Sequence, residues 1–172
     1  MDMNCAYCAK GELVANPVTK SFGCSVKWAW KTESAERVNQ TWQDKPVTLE
    51  MISEEGIRDL VANNSEKLRL INVWATWCGP CITEYPEMVI IQRMYMNRDF
   101  EFISVSADDP GNYDAVLKFL QSRYSALQNY LFDSDDKYAL IDAIDPNWDG
   151  ALPYTLLVEP GGNKVYAVQG AV

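Results

Sequence analysis

Two cysteines stand close together in the middle of this chain, Cys78 and Cys81, with Gly79 and Pro80 between them. They follow an apolar run over residues 70–75, which predicts a buried strand. A helix that begins at Cys78 would place its sulfur at a helix N-terminus, where unpaired backbone N–H groups and the helix dipole favour an anion. Such surroundings lower the pKa of a cysteine from about 8.5 to roughly 3.5–7.5. We therefore predict that Cys78 is the attacking thiolate.

Cys81 is expected to complete this chemistry. It follows Cys78 by one helical turn, near enough for a short disulfide but set deeper, so it would resolve the mixed disulfide that Cys78 forms with a substrate. Pro80 falls in the first turn of the predicted helix, where its missing N–H costs no hydrogen bond. The pair can carry electrons by itself, and no cofactor is expected.

A structural zinc site is the alternative for a Cys-X-X-Cys sequence. Structural zinc takes four Cys or His ligands, and this chain has five cysteines and no histidine. Cys5 and Cys8 could supply a second pair, but they lie far upstream. Haem attachment requires a histidine directly after the pair, and Ala9 and Ile82 occupy those positions. We therefore expect neither a metal nor a haem at the central pair.

The residues around the pair resemble a known family. The sequence NVWATWCGPC, which ends at Cys81 and is followed by Glu84 and Pro86, is similar to the TlpA/ResA-like thiol-disulfide oxidoreductases. Residues 150–162, GALPYTLLVEPGG, are similar to the segment that carries the family's cis-proline, a strand and a hairpin. The resemblance covers residues 46–172. It implies a thioredoxin-like three-layer α/β/α sandwich with a mixed central sheet, without the C-terminal helix that usually ends this fold.

The resemblance also implies roles for residues near the pair. Pro153 matches the cis-proline that lies against the active-site disulfide, and Leu152 would present its backbone to a substrate as a strand partner. Trp77 would be a partly exposed aromatic residue beside the thiol that shapes docking, with plain packing as the alternative. Gly79 and Pro80 would support the active site.

Glu84 matches a glutamate that the family carries three residues after its second cysteine. Thioredoxins have a buried carboxylate on the active strand instead, and here that position is Asn72, which cannot exchange a proton and is expected to be structural. Glu84 could take the proton that Cys81 must lose before it attacks the mixed disulfide. A solvated helix glutamate is the alternative.

The elements that must position the pair alternate along the chain. Residues 46–52 predict a short strand, and Ser53 predicts the N-cap of a following helix. A helix over residues 81–96 contains Pro86 and is expected to kink there. The remaining predicted elements are a strand at 100–106, a helix at 112–124, a strand at 130–132, a helix at 135–143, and a hairpin of residues 154–159 and 164–168. This order indicates an α/β domain.

Acidic residues cluster at two places, Asp108 with Asp109 and Asp133 with Asp135 and Asp136. Neither group has the regular spacing of a calcium loop, and both precede predicted helices. We interpret them as helix caps and solvated charge.

The composition agrees with one core and a surplus at the N-terminus. The chain has 172 residues, of which 48% are hydrophobic, and a net charge of −9, which disfavours nucleic acids and anionic membranes as partners. No apolar run approaches the ~18 residues of a membrane helix. The expected partners are a disulfide-containing protein and an upstream dithiol electron donor. The resemblance implies an extracytoplasmic location, in a bacterial periplasm or on a membrane-associated exterior.

Residues 1–45 form a predicted N-terminal extension before the thioredoxin-like domain of residues 46–172. Residues 16–28 resemble the C-terminal tail of thioredoxin-like and peroxiredoxin-like proteins, so the chain is expected to be a monomer or part of a longer tandem protein. An ordinary extension that packs on the domain is the alternative. Cys5, Cys8 and Cys24 could include a second redox pair, a disulfide or free thiols, and these possibilities stay open.

The predicted function is thiol-disulfide exchange, with Cys78 and Cys81 reducing disulfides of partner proteins. A thiol peroxidase is one alternative, but peroxiredoxin-like sites place a threonine three residues before the reactive cysteine, and here Ala75 occupies that position while Thr76 follows it. A non-catalytic binding module is another. Such a module has no physical need for the cysteine pair, the cis-proline segment and Glu84 together.

Overall fold

A computed structural model describes residues 40–171, and six strands of this part of the chain form one sheet. The strands are β1 (Glu50–Ile52), β2 (Leu68–Trp74), β3 (Phe100–Ser106), β4 (Gln128–Phe132), β5 (Tyr154–Val158) and β6 (Lys164–Gln169). Their order across the sheet is β1-β4-β3-β2-β5-β6. The first four pair in parallel, whereas β5 runs antiparallel to β2 and β6 antiparallel to β5. The mixed sheet predicted from the resemblance is confirmed.

Helices cover both faces of this sheet. They are α1 (Glu54–Ala62), α2 (Gly79–Tyr95), α3 (Tyr113–Ser122) and α4 (Lys137–Ile144). Ile57 of α1 and Leu140 of α4 pack with Ile71 and other strand residues in one core. Tyr85 of α2 packs with Trp74 in a second core, which also holds residues of α3. Since alternate residues of β2 point to opposite faces, the two cores lie on opposite sides of the sheet and the fold is a three-layer α/β/α sandwich.

Short-range sequence signals fix several element ends. Ser53 caps α1 and accepts a hydrogen bond from the Gly56 N–H at 3.2 Å, as predicted. Asn63 ends α1 in the left-handed conformation. Gly162 lies in the β5–β6 turn at φ +85°, and a Cβ there would lie 3.1 Å from the Ala62 carbonyl oxygen. A side chain at Gly162 would therefore strain the turn.

Several element boundaries differ from the sequence predictions by one to four residues. The first strand is limited to Glu50–Ile52, and the Thr48 carbonyl before it accepts a hydrogen bond from the side chain of Asn129 in β4. The active-site helix begins at Gly79, directly after the predicted start at Cys78, and continues through Pro86 to Tyr95 rather than to residue 96. The predictions for Cys5, Cys8 and Cys24 and for residues 16–28 lie outside the described residues, and the domain boundary near residue 46 stays a prediction.

A buried polar network joins α2 to the sheet. The Tyr85 hydroxyl lies 2.9 Å from the Ser104 Oγ and 2.9 Å from the Ser125 Oγ, and it donates to the Asn129 Oδ1 at 3.3 Å. The Trp74 indole N–H donates to the same Ser104 hydroxyl at 2.8 Å. Burial raises the pKa of Tyr85 to about 12, so the phenol stays protonated and can donate. These bonds anchor the helix that carries the cysteine pair.

Replacing Tyr85 with Phe should lower the free energy of unfolding by about 1–3 kcal/mol, because the hydroxyls and amide that the phenol satisfies stay buried without it. Urea denaturation followed by circular dichroism measures this change. Tyr138→Phe is the matched control, since Tyr138 is 81% exposed, and it should leave stability unchanged. Equal stability of Tyr85→Phe and the wild type would contradict the importance of the network.

Candidate active site

Three loops converge at one end of the sheet because β2 lies between β3 and β5. The parallel strands β2 and β3 both end there, and the Ala107 N–H donates to the Trp74 carbonyl at 2.7 Å. The antiparallel strand β5 begins there, with Tyr154 opposite Val73. The residues after β2, after β3 and before β5 therefore meet in one place, although they lie far apart in the sequence.

The cysteine pair stands at the start of α2. Cys78 is the N-cap residue, and the sulfurs of Cys78 and Cys81 are bonded at 2.01 Å. The Cys78 Sγ also accepts a hydrogen bond from the Cys81 N–H at 3.3 Å. Cys78 is 6% exposed and Cys81 is 2% exposed, so Cys81 lies deeper, as predicted. The first sulfur therefore occupies the helix N-terminus where a thiolate is stabilised.

Residues next to the buried cysteine pair are exposed to solvent. Trp77 is 67% exposed, and Gly79 and Pro80 are exposed as well. A Cβ added at Gly79 would meet nothing within 4 Å. The surface next to Cys78 is therefore open to solvent, and the sequence prediction that Trp77 is partly exposed is confirmed.

Leu152 and Pro153 directly precede β5, and Leu152 packs against the core cluster that contains Cys78 and Cys81. The peptide bond between them is cis, as the resemblance implies. Pro153 is buried, whereas Leu152 is half-buried and lines a small apolar cavity of about 60 Å³ together with Trp77. Lys137 and Trp148 also line this cavity, and nothing in the sequence patterns marked them as site residues.

Glu84 and Asn72 are both buried. Glu84 is 7% exposed and follows Cys81 by one turn of α2, so the alternative of a solvated glutamate is not supported. Asn72 lies on β2 and is 2% exposed. Its side-chain amide donates to the Thr155 hydroxyl at 3.0 Å across the β2–β5 pair. This contact agrees with the structural role expected for Asn72.

The interpretation of the acidic clusters as caps and solvated charge is wrong for Asp108. Asp109 caps a single 3-10 turn, Pro110–Asn112, and accepts from the Gly111 N–H. Asp136 caps α4 and accepts from the Tyr138 N–H. Asp108 is fully buried, and its carboxylate accepts from the Thr76 N–H at 2.8 Å. It can be buried because donors from the neighbouring loop satisfy it, and no local pattern shows these donors.

Further donors complete the surroundings of Asp108. The Thr76 hydroxyl and the Ser106 hydroxyl both donate to its carboxylate, the latter at 2.7 Å. The Thr76 hydroxyl is thus engaged away from the cysteines, and Ala75 before it has no hydroxyl. This arrangement does not favour a peroxiredoxin-like site. The available sequence signal was the position of Asp108 just after a predicted strand beside the active strand.

Asp145 forms hydrogen bonds with the segment before β5 and with the first residue of β5. It accepts hydrogen bonds from the Tyr154 hydroxyl at 2.9 Å and from the Asn147 N–H at 3.1 Å, and the Lys164 Nζ lies 3.3 Å from its Oδ1. Burial acts to raise the pKa of Asp145, but these hydrogen bonds and the lysine charge outweigh it and hold the pKa below its usual value. Burial of the Tyr154 hydroxyl is the main cause that raises the pKa of Tyr154. The hydrogen bond to Asp145 and the negative charge of Asp145 raise this pKa further.

The part of the chain that the structure describes contains no group of three or more His, Cys, Asp or Glu side chains placed to hold a metal ion. Within the same residues, no helix is both long and apolar enough to cross a membrane.

The sheet order, the cysteine pair at the start of α2 and the cis Leu152–Pro153 bond before β5 together define a thioredoxin-like domain. A model of the Redoxin family matches residues 39–170, and the chain belongs to that family.

Named relatives agree with the resemblance seen in the sequence. The chain is 30% identical over 102 residues to the thiol-disulfide oxidoreductase ResA of Bacillus subtilis (strain 168), which covers 59% of this chain and 52% of that protein. It is 30% identical over 126 residues to ResA of Oceanobacillus iheyensis, which covers 72% of this chain and 62% of that protein. The chain thus spans between half and two thirds of the length of these curated relatives.

Solved structures agree on the fold. A thiol:disulfide interchange protein of the thioredoxin family from Chlorobium tepidum TLS matches with a TM-score of 0.52 and 24% identity, over 62% of this chain and 72% of that one. A thiol:disulfide interchange protein from Bacteroides sp. matches with a TM-score of 0.52 and 21% identity, over 64% and 66%. These matches confirm the predicted thioredoxin-like fold.

The contacts of Asp145 predict a pH-dependent stability. A carboxyl whose pKa is lower in the folded state stabilises that state above its unfolded pKa of about 3.9 and loses this contribution as the pH falls through the folded value. Asp145→Asn should therefore be less stable than the wild type at pH 7, and this deficit should shrink as the pH falls below about 4.

Urea denaturation at several pH values measures this difference. Asp142→Asn is the matched control, because Asp142 is an exposed residue of the same segment, and its difference from the wild type should stay small throughout. A deficit of Asp145→Asn that is the same at every pH would contradict the assigned contacts.

Proposed function

We propose that this protein is a thiol-disulfide oxidoreductase that reduces or exchanges disulfides of partner proteins through Cys78 and Cys81. The observation that carries the proposal is the bonded cysteine pair at the N-terminus of α2, buried itself but bordered by the exposed residues Trp77, Gly79 and Pro80. The ResA proteins that the chain resembles are named for the same activity.

The first step is an attack by Cys78. In the reduced protein, its thiolate attacks one sulfur of a substrate disulfide, a bond forms between the two sulfurs, and the second substrate sulfur leaves as a thiolate. The free N–H groups at the start of α2 favour the thiolate form of Cys78. Cys78 is the nucleophile rather than Cys81 because it is the N-cap residue and lies nearer the open surface.

The second step releases the substrate. Cys81 loses its proton and attacks the Cys78 sulfur, so the Cys78–Cys81 disulfide forms and the remaining substrate sulfur leaves as a thiolate. Two electrons have then passed to the substrate. Glu84, buried one turn beyond Cys81, accepts the Cys81 proton in this proposal. An upstream dithiol donor returns the pair to its reduced state.

Leu152 and Pro153 form the docking edge for the substrate. Both precede β5 and lie at the end of the sheet where Cys78 stands. An extended substrate segment can pair with the Leu152 backbone while its disulfide faces Cys78. Trp77 borders the same cavity as Leu152 and contributes apolar contact area. The location that accompanies this proposal is extracytoplasmic, where substrate disulfides persist.

Replacing Cys81 with Ser should trap substrates, because Cys78 can still attack but nothing resolves the mixed disulfide. The reduced variant is incubated with insulin, whose chains are joined by disulfides. Mass spectrometry should then find insulin adducts on Cys78. Cys78→Ser is the control and should give none. Recovery of no adduct with Cys81→Ser, together with stoichiometric oxidation of its Cys78 by peroxide, would contradict the proposal and favour a thiol peroxidase.

Replacing Glu84 with Gln should slow the resolution step by roughly tenfold or more at pH 7, because an amide cannot accept the Cys81 proton. The difference from the wild type should shrink at high pH, where Cys81 ionises without help. Rapid quenching of single-turnover reactions measures the decay of the mixed disulfide.

Glu87→Gln is the matched control for this experiment, since Glu87 is an exposed glutamate on the same helix. It should behave as the wild type. An unchanged rate and pH profile in Glu84→Gln would remove Glu84 from the mechanism while leaving the roles of the two cysteines intact.

A further inference from the structure

A buried carboxylate lies directly behind the loop that leads to the nucleophile. Asp108 is fully buried, and the ion pairs found among residues 40–171 do not include it. Its charge is stabilised by hydrogen bonds from Thr76 and Ser106. A buried charge without a close ionic partner is costly, so it is retained only where several donors converge on it.

Thr76 gives two of these bonds, one from its backbone N–H and one from its hydroxyl. It lies between Ala75 and Trp77 in the short loop that joins β2 to α2. The neighbouring Ala75 carbonyl accepts from the Cys78 N–H at 3.1 Å. Asp108 is therefore linked to Cys78 in two steps: its carboxylate binds Thr76, and the carbonyl of the preceding Ala75 binds the Cys78 N–H.

Asp108 is itself held in place from three sides. Its own N–H donates to the Ser106 hydroxyl at 3.1 Å, and the preceding Ala107 N–H donates to the Trp74 carbonyl at 2.7 Å. The Lys137 ammonium of α4 donates to the Asp108 carbonyl at 3.4 Å. The carboxylate thus forms a rigid support that belongs to β3 and α4 rather than to the active-site loop.

We propose that Asp108 is a positioning residue for thiol-disulfide exchange: through Thr76 it fixes the loop that holds Cys78 at the N-terminus of α2 and Trp77 at the surface. The inference rests on the proposed function, because a fixed loop matters most where a sulfur must attack in line. A displacement of about 1 Å at a reacting group can cost a hundredfold in rate. Asp108 contacts no reacting sulfur, so its effect passes through Thr76.

The test compares single-turnover reduction of insulin disulfides by Asp108→Asn, Thr76→Val and Thr76→Ser. Asn keeps the size of Asp108 but replaces one acceptor with a donor, whereas Val removes only the Thr76 hydroxyl and Ser restores it. The maximal rate should fall about tenfold or more in Asp108→Asn and about threefold to tenfold in Thr76→Val. Thr76→Ser should retain most of the wild-type rate.

The half-saturating insulin concentration should change less than twofold, because positioning of the nucleophile affects the reaction step more than docking. Rates are expressed per folded molecule, with the folded fraction taken from circular dichroism well below each melting temperature. If Asp108→Asn does not fold, the pair Thr76→Val and Thr76→Ser still tests the proposal. Asp109→Asn is the matched control, because Asp109 is the exposed neighbour, and it should match the wild type.

The outcomes separate this inference from the proposed function. A wild-type protein that reduces insulin while Asp108→Asn and Thr76→Val match Asp109→Asn would overturn the positioning role alone. An increase in the half-saturating concentration with no loss of maximal rate would also overturn it. A wild-type protein that does not reduce insulin would overturn the proposed function and this inference with it.

Discussion

The start of α2 is fixed by the strand that precedes it, and the arrangement of the site depends on this junction. β2 is held by β3 on one side and by β5 on the other, so its end cannot move independently of either. The chain passes from Trp74 to the N-cap Cys78 through three residues. The sulfur of Cys78 therefore meets the unpaired N–H groups of a helix whose position the whole sheet determines.

The same junction explains why distant residues gather around the cysteines. Asp108 follows β3 and Pro153 precedes β5, and both strands are direct neighbours of β2. The loop after β3 can thus bind the active-site loop through Asp108 and Thr76. The residues before β5 lie next to the exposed Trp77 of the same loop. On the inner side, the Tyr85 hydroxyl ties α2 to β3 and β4 through Ser104 and Asn129. Rigid polar contacts surround a small exposed reactive surface.

Much of this arrangement could be predicted from the sequence because the signals were local. The Ser53 cap, the apolar strand before the cysteines and the glycine turn before β6 each depend on neighbouring residues. The motif around Cys78 and the segment around Pro153 were recognisable by resemblance. Asp108 was interpreted as surface charge, because its burial depends on Thr76, a residue that the sheet places beside it. The role of Tyr85 could not be predicted, because its hydroxyl contacts Ser104, Ser125 and Asn129, which lie far from it in the sequence.

The central claim is that two electrons pass from the Cys78 and Cys81 thiols to a protein disulfide. The most direct measurement mixes the fully reduced protein with one equivalent of insulin, alkylates all free thiols after acid quenching, and determines the masses of both proteins. The account predicts that a Cys78–Cys81 disulfide forms as two thiols appear in insulin, in equal amounts. Retention of the Cys78 and Cys81 thiols while the insulin disulfides stay intact would contradict it.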